Sequence, residues 1–474
     1  MKQELVGAGR KCRNSGQTGF MPEKIWRGYW WLPSSANDKI PGRLVVAEDG
    51  ACQLELVGGL DMAPPDSTNL SDRVPVIHGE AEGKTVTLLD CFTVRRDGWG
   101  GRPIQYQDVH VHEALIGAHV AEDAPVFQSA IVTFEHLTSW LAIHDTVERT
   151  TEHDTQTASL RTAADQSCTV DGWTFTARTL VQPFHTSMER SRLSVEAEAA
   201  AYLVIRPPAP VPASEFHGPV LEIMDLLTLA SGEASGQVEL TLIHKETIPH
   251  RDADGSIFPL DWRVDSYGAR THTARPRDEA VKDWRFLFTC NDRPFDELLP
   301  AWLALRRRAP EACNVHFGQR YARPTYTEVR LLLSAITAET LHASLYVNET
   351  ELPENEFVEL RRRVLEAIPD LEHQRWAKQK LRNSPSFRER LVSLAAKPDP
   401  AALSLVVPDV DRWSRQLRVA RNNLAHTGNE RTDDDIFHLE RVTAAVIALV
   451  LMSELELPAD VQHRAAKDIL RPHR

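Results

Sequence analysis

Residues 413–428 read Trp413-Ser414-Arg415-Gln416-Leu417-Arg418-Val419-Ala420-Arg421-Asn422-Asn423-Leu424-Ala425-His426-Thr427-Gly428. Trp413, Leu417, Ala420 and Leu424 recur at steps of four, three and four, the spacing that lines apolar side chains along one stripe of a helix. The pattern predicts a helix from about Val410 to Ala425, with His426 falling where Thr427 and Gly428 break it. On the flank of that stripe stand a permanent cation, Arg421, a carboxamide, Asn422, and, five residues after the Arg, the imidazole of His426. Arg holds a phosphate with a planar fork of donors, and His moves protons near neutral pH. Together they suit phosphodiester cleavage without a metal.

The bare spacing is a weak signal. With 43 Arg and 19 His in 474 residues, chance alone supplies about 1.7 such pairs. A second pair exists, Arg73 and His78, but it flanks Val74-Pro75-Val76-Ile77, a short extended run after a proline-rich loop, and we assign it to chance. The bland reading of the first pair is that Arg421 meets a nearby acid and His426 caps the helix end. Context separates the two pairs: Asn422 directly follows Arg421, and the stretch ends an amphipathic helix.

Around this stretch the texture is helical from about Phe286 onward. Phe295–Arg306 predicts a linking helix. Thr325-Tyr326-Thr327-Glu328 reads as a capping box for a long helix to about Tyr346, with Val329, Leu332, Leu333 and Ile336 as its buried stripe. Further helices are predicted over 356–368 and 371–382, and from Ser384-Pro385 onward. The last long helix follows Thr432 as cap, with Asp433–Asp435 at its positive end and a core face of Ile436, Leu439, Val442, Val446 and Leu449. This is an all-α bundle of about 150 residues.

Before Lys245 the chain is mostly β. Arg43–Ala47 and Cys52–Val57, with Glu-Asp-Gly between them, read as a hairpin. Similar runs follow at 85–89, 107–115, 126–134, 173–178, 193–198, 201–205 and 236–243, which suggests a large sandwich or barrel-like domain. Residues 219–229 read as a docked helix. The opening Trp26, Trp30 and Trp31 are either a stacking platform or core, and core is the commoner fate of clustered aromatics. His110 and His112 share a strand face without an evident third metal ligand. No metal or cofactor set is found.

Six scattered Cys without a CxxC pair argue against a disulfide scaffold or zinc site and for a reducing cytoplasm. Residues 1–24 lack an apolar core of the signal-peptide kind, no apolar run approaches a membrane span, and Met21 is a candidate start. The net charge of −13 is unevenly placed: residues 301–474 hold 26 Lys/Arg against 24 Asp/Glu, so residues 1–300 hold 28 against 43, a balance of −15. The helical part is near neutral but has basic clusters able to meet phosphates, with Arg361, Arg362, Arg363, Arg375, Lys378, Lys380, Arg382, Arg388 and Arg390 as candidates for a nucleic-acid track.

The stretch Arg421-Asn422-x3-His426 resembles the motif of HEPN ribonucleases. Gly28-Tyr29-Trp30-Trp31-Leu32-Pro33, Ile40-Pro41-Gly42-Arg43-Leu44, Glu135-His136-Leu137 and Trp140 are similar to the N-terminal domain of ApeA proteins, bacterial antiphage proteins with a β-rich front and a HEPN back. The resemblance spans roughly residues 25–455. It implies an α+β multidomain chain: a flexible segment 1–24, a β-rich sensor or regulatory domain 25–285, a linker helix 286–320 and an all-α HEPN bundle 321–474. It also implies an endoribonuclease, with Arg421, Asn422 and His426 as catalytic residues and tRNA as the expected substrate. A homodimer bringing two motifs into one cleft and a phage-derived trigger protein are its expected partners. The alternative is a non-catalytic HEPN module that dimerises or senses, binding RNA or a phage protein.

Overall fold

The computed structural model describes residues 23–470, apart from 61–72, 98–105, 144–146, 153–154, 161, 189, 192, 197, 253, 269–284, 323–325, 348 and 427–432. Of Ala425 and His426 it describes the backbone alone. The expectations for residues 1–22, Thr325, Thr427, Gly428 and Thr432 lie outside the described residues. The chain divides into two compact units, Met1–Pro300 and Ala301–Arg474.

The first unit begins with six antiparallel strands, β1 (Lys24–Trp31), β2 (Ile40–Val46), β3 (Cys52–Val57), β4 (Val74–Ala81), β5 (Lys84–Asp97) and β6 (Tyr106–Ile116). They pair in the ring β6-β3-β2-β1-β4-β5, and β5 pairs again with β6, closing a six-stranded barrel. Alternation sends one side chain of each pair inward. Along β3, Cys52, Leu54 and Leu56 are buried and Gln53 and Val57 exposed. The interior is filled by Trp26, Trp30, Leu44, Leu54, Leu88 and Val109, among others. The tryptophans are therefore core, which decides between the two readings of the opening stretch. Gly79 on β4 is needed for this filling: a Cβ there would stand 2.3 Å from the Trp30 ring.

The remaining elements of this unit are β7 (Phe127–Phe134), α1 (Leu137–Trp140), β8 (Val147–Glu152), β9 (Thr155–Leu160), β10 (Gln166–Val170), β11 (Trp173–Val181), β12 (His185–Met188), β13 (Leu193–Glu196), β14 (Ala199–Arg206), α2 (His217–Ser231), β15 (Gln237–Arg251) and β16 (Ile257–Gly268). Strand β6 is the branch point. Its first half pairs with β3 (Tyr106–Val111), while Glu113–Ile116 pair with β16 and lead into the run β16-β15-β7-β14-β11-β10.

Glu135, His136 and Trp140 act as fasteners. His136 sits in the left-handed backbone region (φ 65°), with Nδ1 2.6 Å from Ser235 Oγ, and the Glu135 carboxylate accepts the Gly236 N–H at 2.8 Å, tying the end of β7 to the start of β15. Trp140 is buried, and its carbonyl accepts the Cys290 N–H at 2.9 Å.

The helices that follow are α3 (Phe295–Arg308), α4 (Pro310–Tyr321), α5 (Thr327–Leu345), α6 (Glu354–Glu366), α7 (Leu371–Lys380), α8 (Phe387–Ala395), α9 (Pro400–Val406), α10 (Val410–His426), α11 (Asp433–Glu454) and α12 (Ala459–Asp468). The architecture is thus a β-rich front followed by an all-α back, as the sequence implies. Helix α11 is the axis of the bundle: Ile436, Leu439, Val442, Val446 and Leu449 are all buried. Contrary to the expectation that no apolar run approaches a membrane span, Asp435–Glu454 is long and apolar enough to cross one, but 72% of its 18-residue apolar window is buried inside the bundle, the signature of a core helix.

Three local expectations are corrected. The buried residues of α5 are Leu331, Ser334, Ala335, Thr337, Ala338, Leu341 and His342, while Leu332 and Leu333 are half-buried and Val329 and Ile336 exposed. Small Ser and Ala side chains permit close approach between helices, and a hydrophobicity count ranks them too low. Helix α8 opens at Ser386, not at Ser384-Pro385: Ser386 accepts the Glu389 N–H and Glu389 reaches back to the Ser386 N–H, a complete capping box. Helix α10 also continues through His426 rather than stopping at Ala425.

Candidate active site

Helix α10 presents its stripe to the core. Trp413, Ser414, Leu417 and Ala420 are buried, and the Trp413 indole N–H donates to Thr443 Oγ1 on α11 at 3.2 Å. This anchoring sets the rotation of the helix and leaves Arg421 and Asn422 on its outer flank. Arg421 is half-exposed, at 38% of its side-chain surface. Three groups hold it. One Nη donates to Glu339 Oε2 on α5 at 3.4 Å, the other to Asn422 Oδ1 at 3.4 Å, and the guanidinium carbon lies 5.5 Å from the centre of the Phe387 ring on α8. Asn422 is exposed.

Helical backbone through His426 places it one turn beyond Asn422 and five residues beyond Arg421, a rise of about 7.5 Å. The structure therefore brings Arg421 and Asn422 into contact; the side chain of His426 lies outside the described residues. Sequence reading missed Glu339 and Phe387. Glu339 is a polar residue on a helix read for its apolar stripe, and Phe387 directly follows the Ser386 cap; neither carries a signal pointing to Arg421.

The other Arg-x4-His pair has a structural use. Arg73 is ion-paired to Asp90 and Glu122. His78 stacks on His119 with ring centres 4.5 Å apart, and burial, which outweighs its contact with the Val120 carbonyl, holds its pKa below the ordinary value. His110 and His112 are half-buried, with the His110 ring 4.6 Å from Phe92. Among the described residues no group of three or more His, Cys, Asp or Glu is placed to hold a metal.

The basic residues of the helical unit divide into two classes. Arg362 bridges Glu359 and Glu366, each at 2.7 Å, Arg363 meets Glu359 at 3.6 Å and Arg388 pairs with Asp411. Arg361 and Arg390 donate to the backbone carbonyls of Lys378 and Pro385, each at 3.1 Å. Arg375, Lys378, Lys380 and Arg382 are exposed and have no ion-pair partner among the described residues.

Comparison with known families now adds to this geometry. A family model for ApeA N-terminal domain 1 matches residues 25–302, well over half of the chain. The chain belongs to the ApeA family. A second model, Apea-like HEPN, matches residues 332–461, the span that contains α10 and its motif. Neither the curated proteins nor the solved structures contain a match. The two domains are those of an antiphage HEPN-type protein, and HEPN domains commonly act as ribonucleases, dimerise and bind RNA.

Proposed function

We propose that this ApeA-family chain is a metal-independent endoribonuclease of antiphage defence. The observation that supports this is the placement of Arg421: half-exposed, in contact with Asn422, and on the same anchored helix as His426. In this reading the ribose 2′-OH attacks its own phosphate, and the 5′ oxygen leaves, giving a 2′,3′-cyclic phosphate and a 5′-OH end. His426 exchanges the protons, since an ordinary imidazole titrates near working pH. Arg421 stabilises the charge that grows on the phosphorane oxygens, and Asn422 orients the phosphate or the imidazole. DNA, lacking the 2′-OH, is inert. One His serves poorly as both base and acid, so a homodimer supplying two motifs to one cleft is part of the proposal. Transfer RNA in the cytoplasm is the proposed substrate.

The Arg421–Glu339 contact favours a second reading, in which Arg421 is a structural ion pair and the domain is a silent dimerisation or sensor module. Sequencing RNA ends after brief expression separates the two. Wild type is expected to yield cyclic phosphate ends in the presence of EDTA, and Arg421→Ala and His426→Ala to yield none while remaining folded. Cleavage at the wild-type rate by either variant excludes the catalytic reading.

Residues 1–300 carry the acidic excess, and we propose that this charge competes with RNA for the cationic groups of the helical unit and is relieved by a phage-derived trigger. A folded, dimeric 301–474 fragment is expected to cut faster than the full chain at low salt; equal rates would exclude the restraint.

A further inference from the structure

Helices α6 and α7 are unlike the rest of the bundle. Helix α6 has no buried residue, and α7 buries only Ala377. The pair is closed at its base by Asn383, whose side chain accepts from the Leu352 N–H at 3.0 Å and donates to the Leu352 carbonyl at 2.9 Å. Within this pair the charges are distributed unequally. The α6 arginines are occupied by neighbouring carboxylates or by backbone, as described above. From Leu371 to Arg382 there are four cations, Arg375, Lys378, Lys380 and Arg382, against one acid, Glu372, and none of the four has an ion-pair partner among the described residues.

Beside them Trp376 leaves 63% of its surface in solvent. An indole on an exposed helix face forgoes the burial that normally stabilises it. Trp376 and Lys380 are one turn apart on one flank of α7, and Arg375 and Lys378 one turn apart on the other; all four are exposed, and Arg382 follows the end of the helix. The segment then leads directly to the candidate active site. Arg382 lies five residues before Phe387, hence within about 18 Å of it along the chain, and the Phe387 ring faces Arg421.

We propose that α7 and its C-terminal extension hold a single-stranded stretch of the RNA substrate next to the scissile phosphate. Arg375, Lys378, Lys380 and Arg382 neutralise successive phosphates, and Trp376 stacks on an unpaired base. Base–aromatic stacking on a cationic track is the physics of single-strand binding; in an A-form duplex the bases are already stacked on one another, so the indole selects loops and unpaired ends. The cut is thereby directed to a looped segment. This rests on the reading of Arg421 and His426 as the cleaving pair.

The test uses the full-length His426→Ala protein, which binds without cutting, and the anisotropy of a fluorescein-labelled single-stranded RNA across a salt series, with the same sequence as a duplex for comparison. Trp376→Ala is expected to weaken single-strand binding by about 5- to 150-fold, leaving duplex binding and the salt slope unchanged. Trp376→Phe is expected to retain most of the affinity, which a folding defect would not allow. Neutralising the four cations together is expected to lower the slope of log Kd against log salt by about 0.7 for each phosphate left without its cation. Single-strand affinity and slope equal to those of the parent protein in both variants would overturn the proposal. So would a Trp376→Ala protein that binds RNA normally but sediments as a smaller species, since α7 would then be an interface between copies. Failure of the cleavage reading shows separately: if the wild type leaves this RNA uncut while these binding losses are observed, the assignment of Arg421 and His426 falls and that of α7 stands.

Discussion

Arg421 on α10 and Glu339 on α5 form an ion pair at 3.4 Å in which each side chain is 38% exposed. The pair is open enough for solvent to screen it, and exposed pairs of this kind contribute about 0.2–1 kcal/mol. In the proposed reading a substrate phosphate would displace Glu339 at small cost, the carboxylate orienting the guanidinium in the free protein and competing with the phosphate of the RNA.

Glu339→Gln is accordingly expected to leave stability within about 1 kcal/mol of wild type and to raise the initial cleavage rate at low salt by up to about fivefold, the factor that 1 kcal/mol allows. The gain should shrink as salt screens the pair. Initial rates on one RNA at several ionic strengths check this. A rate as low as that of Arg421→Ala would instead place Glu339 in the cleaving machinery.

The rotation of α10 depends on its buried stripe. Leu417 is fully buried and Trp413 is hydrogen-bonded to Thr443. Leu417→Ala is expected to destabilise the helical unit by about 2–5 kcal/mol through lost burial and a residual cavity, read as a lower urea midpoint. A cost below about 1 kcal/mol would mean that α10 is not fastened to the core as described.

The front unit carries an acid-sensitive pair. The Glu113 carboxylate on β6 is buried, 3.2 Å from His217 Nε2 and accepting from Ser266 Oγ at 2.6 Å. Burial pushes its pKa up, but the hydrogen bond and charge of His217, together with the Ser266 hydroxyl, outweigh burial and hold it below the ordinary 4.5. A carboxylate depressed in the fold stabilises it fully above the ordinary value, and that contribution is lost as pH falls through the depressed one. The thermal midpoint of the front unit, followed by tryptophan fluorescence, is expected to drop as pH is lowered from 4.5. Glu113→Gln should lose about 2–4 kcal/mol near neutrality and show a smaller drop in acid. Parallel pH profiles for the two proteins would refute the assignment.

Within the barrel, Gly79→Ala is expected to be among the costliest single-methyl changes in the chain. The new Cβ would meet the buried Trp30 ring at 2.3 Å, and overpacking a filled core costs about 1–3 kcal/mol or more. Pairing it with Trp30→Phe, which gives ring volume back, should recover part of the loss. A neutral Gly79→Ala would show that the Trp30 ring can move freely.

The sequence by itself determined the order of the architecture, strands before helices, because side-chain periods of two and of 3.6 are local properties that survive any packing. It determined the core faces of α10 and α11 for the same reason: Trp413, Leu417 and Ala420, and Ile436, Leu439, Val442, Val446 and Leu449, are large or well-spaced apolar residues and are buried; Leu424, the last member of the α10 stripe, is only half-buried. It brought Arg421 and Asn422 to notice through their adjacency and their place at the end of an amphipathic helix, since the Arg-x4-His spacing alone is a weak signal. Tertiary structure decided what periodicity is blind to. That β5 returns to β6 and closes a barrel is a pairing between strands, and no local pattern encodes it. That α5 buries Ser334, Ala335 and Ala338 while exposing Val329 and Ile336 follows from how closely neighbouring helices approach, which small residues permit and hydrophobicity does not report. Likewise, nine basic residues look alike in a string of letters. Only the positions of Glu359, Glu366 and Asp411 decide that some are spoken for, leaving Arg375, Lys378, Lys380 and Arg382 beside an exposed Trp376, because a salt bridge is a matter of distance and not of composition.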